Sequence, residues 1–523
     1  MLAKKLRPTD PATPSQSSLA SEIDLKIRAG QIGEARKSIK LLKIGSIPRS
    51  DIVTMANLAR RVGMATWGLL LLRPILRSEK PIHPPASVAE KAIYAALLIK
   101  VGAVTEALAL LKDHQEPNHP DVLLYSSYAY MERWEYGRVI DYLQKYLKCA
   151  QVSAYQKAIA KVNLAAALVH EEHHPEALDL LIELRAECQR EKWSLLQGNC
   201  LEISAQIAIK QNKWNMTESL LDEAEKLNAE AHRYQLFIEK WRVIAKLIQN
   251  PKSSAVFAET EQLRAKAISM GAWETHRDLD LHLGMSREDQ PLLVKLYFGT
   301  PYRSYRRQIE DFFRLRGWTF PNSLLWSFAE SSPELSLGTT NETSPQECVL
   351  NIYEGAKNGV ALVKAGQNLH RLLILLSSDL YRPISIGYVF SQLYPKEFFN
   401  PLTSPSRVFH NIKRLRNMFT ENKIPIHIMF DKGHSSLKPT GPVGLLLQKN
   451  SALTPLSASK LSQLAILKSL KKHFPFRSFS VGDAAQQTSL SPTTIRTILK
   501  NALLHRRVYS TGVGRATRYR FQK

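Results

Sequence analysis

Two stretches of the chain, 404–422 and 491–507, carry basic, amide and hydroxyl side chains at helical spacing. In the first stretch the pattern predicts a helix whose solvent-facing residues are Arg407, His410, Asn411, Lys413 and Arg414. In the second stretch the corresponding residues are Thr493, Thr494, Arg496, Thr497 and Lys500. An α-helix fits the major groove of duplex DNA, where arginine reads guanine, asparagine reads adenine, and basic or hydroxyl groups hold phosphates. Both stretches therefore predict contact with double-stranded DNA.

A further basic segment follows the second stretch. Residues 508–521 read VYSTGVGRATRYRF, two short strand-like runs around Gly512 and Gly514, and they predict a β-hairpin. Arg515 and Arg518 lie on this hairpin, where they would meet the DNA backbone or the minor groove. A single exposed arginine or lysine is more often only solvated. The prediction of DNA contact therefore depends on the residues of both helices and the hairpin together.

Positive charge is concentrated in the last third of the chain. The 523 residues carry a formal net charge of +24. Residues 351–523 hold 26 Lys and Arg against 6 Asp and Glu, a net charge of +20, and the other 350 residues have a net charge of only +4. A basic part joined to a near-neutral part is typical of a polyanion binder. A solubility device or a membrane-surface patch is the alternative interpretation.

The sequence lacks the motifs that are typical of several functional classes. None of the four cysteines is in C-x-x-C spacing, which would signal a zinc knuckle or a redox pair, and their small number favours a reducing cytosol. No phosphate-binding loop, nucleophile elbow or H-E-x-x-H motif is present. The apolar runs at 67–76 and 372–376 are too short to span a bilayer. We expect a cytoplasmic protein without catalytic activity, metal, cofactor or membrane contact.

One histidine cluster raises the question of a metal site. His170, His173 and His174 lie beside two glutamates, but neither a cysteine nor a further histidine is placed to complete a metal shell. The pattern favours a solvated polar turn before Pro175.

Residues 1–20 are expected to form a disordered lead. Residues 21–285 show apolar positions at three- and four-residue spacing, which predicts successive helices. A recurring turn has a glycine, then a small residue five positions later, then a leucine-rich helix. The glycines are Gly30, Gly63 and Gly102, spaced by 33 and 39 residues. Later turns lack this glycine, and their small residues are expected at Gly137, Ala177 and Ser219.

This segment resembles the tetratricopeptide repeat (TPR) family, with about six or seven repeats. The resemblance implies an α-solenoid whose concave face binds a peptide or a protein. The alternatives are that the array serves only as a spacer or joins two copies of the chain, so a homodimer is left open.

After a connecting segment and linker at 286–346, in which 301–318 includes a linking helix, the pattern changes. Residues 347–447 predict short strands, three helices and a β-hairpin. The third helix would bury Val408, Ile412, Leu415 and Phe419. This order resembles the OmpR/PhoB-type winged-helix family, whose V-x-x-x-I-x-R-L-R pattern is matched from Val408 to Arg416. In that family the third helix enters the major groove and the hairpin wing reaches the minor groove.

A linker at 448–459 precedes a second unit at 460–523. Three predicted helices and a hairpin make it resemble a generic winged helix-turn-helix domain, with Ser480 and Ser491 as helix caps. Its third helix would bury Ile495, Ile498, Leu499 and Leu503.

The sequence thus predicts a mostly α protein: an α-solenoid of TPR-like helix pairs followed by two small α+β winged-helix domains. The resemblances imply a sequence-specific, DNA-binding transcriptional regulator of bacterial type, located in the cytoplasm and on the nucleoid when bound. The alternative is a TPR-type scaffold whose basic domains bind nucleic acid without specificity, or bind protein. An RNA target stays open at this point, although no RNP-type motif is visible.

Overall fold

The described part of the chain is mostly helical, with a small proportion of strand, as predicted. It divides into two compact units. The first comprises Met1–Arg287, Ser385–Ser391 and Lys396–Ser406, and the second comprises Glu288–Ile384, Gln392–Pro395 and Arg407–Lys523. The structure is a computed structural model that describes residues 16–28, 31–78, 84–114, 119–227, 232–328, 348–431, 433–449, 458–475, 477–488, 490–504, 507–512, 514 and 517–521.

Fifteen helices make up the first part of the first unit within the described residues. They are α1 (Gln16–Arg28), α2 (Ile32–Lys40), α3 (Arg49–Arg61), α4 (Ala65–Leu76), α5 (Val88–Val101), α6 (Val104–Leu111), α7 (Pro120–Glu132), α8 (Tyr136–Leu147), α9 (Ala154–His170), α10 (His174–Arg190), α11 (Ser194–Lys210), α12 (Trp214–Leu227), α13 (His232–Gln249), α14 (Ser254–Met270) and α15 (Trp273–Arg287). The first helix begins inside the segment expected to be a disordered lead, and residues 1–15 lie outside the described residues.

These helices pack in a repeating order. Consecutive helices contact each other, and α5 also contacts α3 and α7, as α11 contacts α9 and α13. The odd-numbered helices from α3 to α15 begin every 32 to 41 residues, close to the spacing of the turn signature in the sequence. Helices α5 and α11 therefore have neighbours on two sides, which explains why they are buried almost all round.

The glycine signature has the expected geometry at two turns. Gly63 and Gly102 follow α3 and α5 with φ of 76° and 86°, a left-handed conformation that glycine adopts without steric cost. Five residues after the first of them, a methyl group on Gly68 would lie 2.9 Å from the Leu97 side chain, so a small residue is needed where these helices cross. Gly30 lies outside the described residues.

Two later turns correct the sequence interpretation. Trp134 and Asn212 take the left-handed conformation in place of glycine, with φ of 56° and 57°. The buried residues five positions on are Val139 and Thr217. The expected small residues Gly137 and Ser219 are instead exposed, because they lie on the outer side of the helix. The turn between them follows the prediction, with Ala177 fully buried.

The second unit mixes helices with short strands. In chain order the elements from here on are α16 (Gln290–Gly299), α17 (Arg303–Leu315), β1 (Ser323–Phe328), β2 (Val349–Asn351), β3 (Ala356–Lys357), β4 (Val360–Ala361), α18 (Asn368–Leu376), β5 (Ile384–Ser385), α19 (Ile386–Leu393), α20 (Ser404–Glu421), β6 (Ile426–Asp431), β7 (His434–Pro439), β8 (Val443–Gln448), α21 (Ala458–His473), α22 (Val481–Thr488), α23 (Pro492–Leu504), β9 (Val508–Thr511) and β10 (Arg518–Phe521). Of these, most of α19 and the start of α20 belong to the first unit.

Part of the expected connecting segment belongs to a sheet. Strand β1 pairs antiparallel with β8 along six residues, in a five-stranded sheet of order β1-β8-β2-β3-β4. Its Trp326 is buried against Gly299. The helix expected within 301–318 is α17, but strand β1 replaces the expected connection, because it is stabilised by a partner more than 100 residues away in the sequence. Residues 329–347, which include the expected Ser/Thr/Pro-rich linker, lie outside the described residues.

A hairpin of β6 and β7 follows α20, with Ile426 opposite Pro439 and Asp431 opposite His434. Val408, Ile412, Leu415 and Phe419 of α20 are buried, as predicted. Amphipathic spacing explains this correct prediction, because residues three or four positions apart share one helix face.

The last 66 residues have a hydrophobic cluster of their own. Leu470 of α21, Ile495 and Leu499 of α23 and Phe521 of β10 pack around Phe479. The backbone of Phe479 also exchanges two hydrogen bonds with Tyr519, of 2.9 and 2.8 Å, which ties the chain before α22 to the β9–β10 hairpin. Ile498 is buried too, and Leu503 packs at the margin of the cluster.

No helix within the described ranges combines the length and apolar character needed to cross a membrane.

Candidate nucleic-acid interface

Helix α23 begins with the cap expected from the sequence. The Ser491 hydroxyl accepts a hydrogen bond of 3.1 Å from the backbone N–H of Thr494, and Pro492 occupies the first helical position. A serine in this place satisfies one of the backbone donors that a helix leaves open at its start. The helix preceding it is capped in the same way, since Ser480 and Asp483 bond reciprocally at 2.8 and 3.1 Å. These bonds to Ser480 also lower the pKa of the Asp483 carboxyl.

One face of α23 is polar, and all of its predicted contact residues are exposed. Thr493, Arg496, Thr497 and Lys500 recur at positions i, i+3, i+4 and i+7, directly opposite the buried isoleucines and Leu499. Neither Arg496 nor Lys500 makes an ion pair with any described residue. Two hydroxyls are already used within the helix start: Thr494 Oγ1 lies 2.8 Å from Ser491 Oγ, and Thr497 donates to the Thr493 carbonyl at 3.1 Å.

Two glycines lie between the strands of the hairpin that follows α23. Gly512 and Gly514 have φ of 80° and 63°, in the region that favours glycine. Arg518 lies opposite Thr511 at the start of β10 and is exposed, as the sequence predicts. Arg515 lies outside the described residues.

The chain after Asp483 carries charge of one sign. After Asp483 the sequence contains no acidic residue, whereas it contains eight lysines and arginines. The Asp483 carboxylate of α22 nevertheless lies near the hairpin, since the charge of Arg518 contributes to lowering the pKa of that carboxyl. The excess of cations over carboxylates favours contact with phosphate oxygens.

Helix α20 presents a second, smaller set of cations. His410, Lys413 and Arg414 are exposed and project from the side opposite the buried stripe. Arg416 instead turns to the hairpin, where its Nε donates to the Ile428 carbonyl at 3.2 Å. Of the five residues predicted to face outward on α20, these three are exposed and Arg407 is half-buried.

Asn411 is the clear error in the predicted set. It is 3% exposed, and its amide donates to the Tyr394 hydroxyl at 2.8 Å and to the Arg407 carbonyl at 2.9 Å. Its position lies beside Val408 and Leu415 on the helix, so a partner from outside α20 can cover it. Arg407 is half-buried, with its guanidinium 3.9 Å above the Tyr394 ring, and this stacking holds it against the protein.

Sequence reasoning missed two aromatic residues on this surface. Phe409 of α20 and Phe430 of β6 meet edge to face with their ring centroids 4.7 Å apart, and both are exposed. The signal was present in the sequence, since Phe409 falls outside the buried stripe and Phe430 is the next residue but one after Ile428, whose side chain points inward.

Within the first unit, residues 396–406 contact the end of α4 and helix α6. The Glu106 carboxylate accepts from the Phe399 backbone N–H at 2.7 Å and pairs with Arg77 at 2.8 Å. The Arg77 guanidinium lies 3.7 Å above the Phe398 ring. Burial raises the pKa of the Glu106 carboxyl, and the two hydrogen bonds oppose that rise.

Close backbone approach extends this contact. A methyl group on Gly387 of α19 would lie 2.0 Å from the Val101 carbonyl oxygen, and one on Gly102 would lie 1.9 Å from Ser385 Oγ. The two glycines therefore allow α19 to pack directly on the turn between α5 and α6.

His170 ends α9 and is exposed, and it also contacts two aromatic side chains. Its ring stacks on Tyr136 at 4.2 Å and contacts Trp134 edge to face at 5.8 Å. Although part of the side chain reaches solvent, desolvation lowers the pKa of His170 to about 4. In the described part of the chain no three His, Cys, Asp or Glu side chains are arranged to hold a metal ion.

Odd-numbered helices also bring together a polar cluster in the first unit. Lys240 pairs with Asp278 at 2.8 Å, and the Glu202 carboxylate accepts from the Trp241 indole at 2.5 Å and from Gln206 at 2.9 Å. Burial raises the pKa of Glu202 and lowers that of His282 to about 4. These side chains bond to one another within the helical array.

No protein-family model matches this chain, and no curated protein matches it in sequence.

Proposed function

We propose that this protein is a sequence-specific, double-stranded DNA-binding transcriptional regulator. The observation that carries the proposal is α23: an exposed stripe of Thr493, Arg496, Thr497 and Lys500 lies opposite its core, beside a basic hairpin. A helix of this width fits the major groove, and the hairpin would then reach the backbone or the minor groove. The proposal places the protein in the cytoplasm, on the nucleoid when bound.

Two winged-helix domains would supply the DNA contacts. In the first, sheet strands, three helices and the β6–β7 hairpin follow the order of the OmpR/PhoB-type fold. In the second, α21, α22 and α23 precede the β9–β10 hairpin, as in a winged helix-turn-helix. The exposed His410, Lys413 and Arg414 of the first would add to the contacts made by the second.

The helical array is proposed to act as the sensor or partner-binding domain. Its repeating contacts between odd-numbered helices support an α-solenoid of the TPR-like kind, which commonly binds a peptide or a protein.

A second candidate function is a scaffold whose basic domains bind nucleic acid without sequence preference. The burial of Asn411 and the stacking of Arg407 favour it, because they remove from α20 two side chains that could read bases. The cations that remain exposed on α20 suit phosphate contact alone.

Footprinting of the full-length protein on genomic fragments separates the two. Sequence-specific regulation predicts short protected sites that share a common sequence. Uniform protection along every fragment would instead support the scaffold, and an absence of protection would contradict both.

A further inference from the structure

An exposed aromatic pair lies within the basic surface formed by α20 and its hairpin. Phe409 is 38% exposed and Phe430 is 41% exposed, and the two rings meet at 4.7 Å. Met429, which directly precedes Phe430 in the sequence, is also exposed. Exposed side chains of this size need a reason, because burying one phenyl group contributes about 1.5–3 kcal/mol to folding or binding.

The pair is held at the point where α20 meets β6. Ile426 and Ile428 point into the core, so the next inward position on the strand is Phe430, and it reaches Phe409 in place of the core. Along α20, Phe409 lies on the same side as Arg416, which bonds the Ile428 carbonyl and fixes the helix to the strand. The two rings therefore have a fixed mutual position and do not form a loose surface patch.

The surroundings restrict what can cover these rings. His410 adjoins Phe409, Lys413 lies one helical turn further on, and both are exposed. Only Glu421 and Asp431 contribute acidic groups among the described residues of α20, β6 and β7. An exposed aromatic pair surrounded by cations is complementary to a polyanion that also exposes an apolar group. In duplex DNA the thymine C5-methyl is the apolar group displayed in the major groove.

We propose that the Phe409–Phe430 pair receives a thymine methyl group and so makes α20 selective for thymine at one position of its site. This inference rests on the proposed function, since it requires α20 to lie in a major groove. It also gives α20 a means of reading sequence that its buried Asn411 cannot supply.

Deoxyuridine provides the test, because it differs from thymidine only by the missing methyl group. The full-length protein is used to select a duplex from a random pool, and that duplex is resynthesised with deoxyuridine at one thymine at a time. At one or two positions we expect the dissociation constant to rise about fourfold, the loss that corresponds to burying one methyl group.

Two variants assign the effect to the aromatic pair. Phe409→Ala and Phe430→Ala should bind the thymine duplex about fourfold more weakly and should no longer distinguish deoxyuridine from thymine at that position. Val360→Ala, which removes an exposed apolar side chain from β4, should keep the discrimination. Circular dichroism verifies that each variant is folded.

The outcomes are distinct. Tight duplex binding with no sensitivity to deoxyuridine at any position overturns this inference and leaves the proposed function intact. A deoxyuridine effect that persists in Phe409→Ala overturns it as well, because another residue then contacts the methyl group. Self-association that is lost in Phe409→Ala, without deoxyuridine sensitivity, would overturn it by identifying the pair as a contact between two copies. Failure to bind any duplex overturns the inference and the proposed function together.

Discussion

At the scale of single residues, the cations of the basic third differ in what they contact. The Arg407 and Arg416 guanidinium groups are held by Tyr394 and by the Ile428 carbonyl. Arg496 and Lys500 project from α23 without an ion pair among the described residues. Net charge alone would treat these four as equivalent, but only the second pair is free to meet a ligand without breaking a contact.

Arg496→Ala is expected to weaken binding to a selected duplex by about 1–3 kcal/mol and to blur base preference at one position, because a bidentate contact to guanine is lost. Titration of selected and scrambled duplexes measures both effects. Lys472→Ala, which removes an exposed charge from α21, is the matched control and should change the two affinities by a similar, small factor.

Arg518→Ala gives the contrasting result within the same prediction, because the hairpin is expected to contact phosphates. Its loss should weaken selected and scrambled duplexes alike and lower the slope of log affinity against log salt by about one. Equal losses on both duplexes for Arg496→Ala would show that α23 does not read bases.

His282 predicts a dependence of stability on pH. Burial lowers its pKa to about 4, below the ordinary value of 6.5, so the folded state resists protonation that the unfolded state accepts. The free energy of unfolding is therefore highest above pH 6.5. It decreases as the pH falls toward 4, by at most about 1.4 kcal/mol per pH unit. Denaturant unfolding of His282→Gln should show a flatter dependence over this range than the native protein.

At the scale of elements, local pattern predicted what depends on local spacing. The buried stripe of α20, the polar face of α23 and the serine caps all follow from residues within one helix or one turn. Asn411 could not be placed in this way, because the residue that covers it, Tyr394, belongs to another element. Strand β1 was missed for the same reason, since its six partners lie in β8. The pairing of Phe409 with Phe430 also requires the three-dimensional position of the hairpin.

The packing of α19 predicts a specific sensitivity to substitution. Gly387→Ala places a methyl group 2.0 Å from the Val101 carbonyl oxygen, so the backbone must move. We expect a loss of about 1–3 kcal/mol from overpacking, although alanine is the better helix former. Gly482→Ala in α22 is the matched control, because its methyl group would meet only Ser480 Oγ at 3.5 Å. Urea unfolding compares them, and equal midpoints would show that α19 does not pack closely on α5.

At the scale of the whole molecule, the two compact units do not follow the linear order of the chain. Residues 385–391 and 396–406 contribute to the first unit although they lie within the segment expected to form a separate domain. The second unit begins at Glu288, well before the boundary at 347 that the sequence suggested. Composition and motif order gave no sign of this interleaving, because it depends on contacts between distant segments.

A truncation experiment follows from that boundary. A fragment of residues 347–523 lacks β1, which leaves the edge of β8 unpaired and removes the buried Trp326. We expect it to unfold at a lower urea concentration than a fragment of residues 288–523, since loss of a buried tryptophan alone costs about 3–5 kcal/mol. Identical midpoints would place β1 outside the cooperative fold of this unit.

The proposed regulator function requires that residues 351–523 read sequence in duplex DNA. The most direct measurement is a titration of the full-length protein on a selected duplex and on a scrambled duplex of the same composition, at about 50 and about 200 mM salt. We predict at least about a thousandfold preference for the selected duplex, and a loss of about tenfold or more on both between the two salt concentrations. Equal affinity for the two duplexes, or binding that does not respond to salt, would contradict the account.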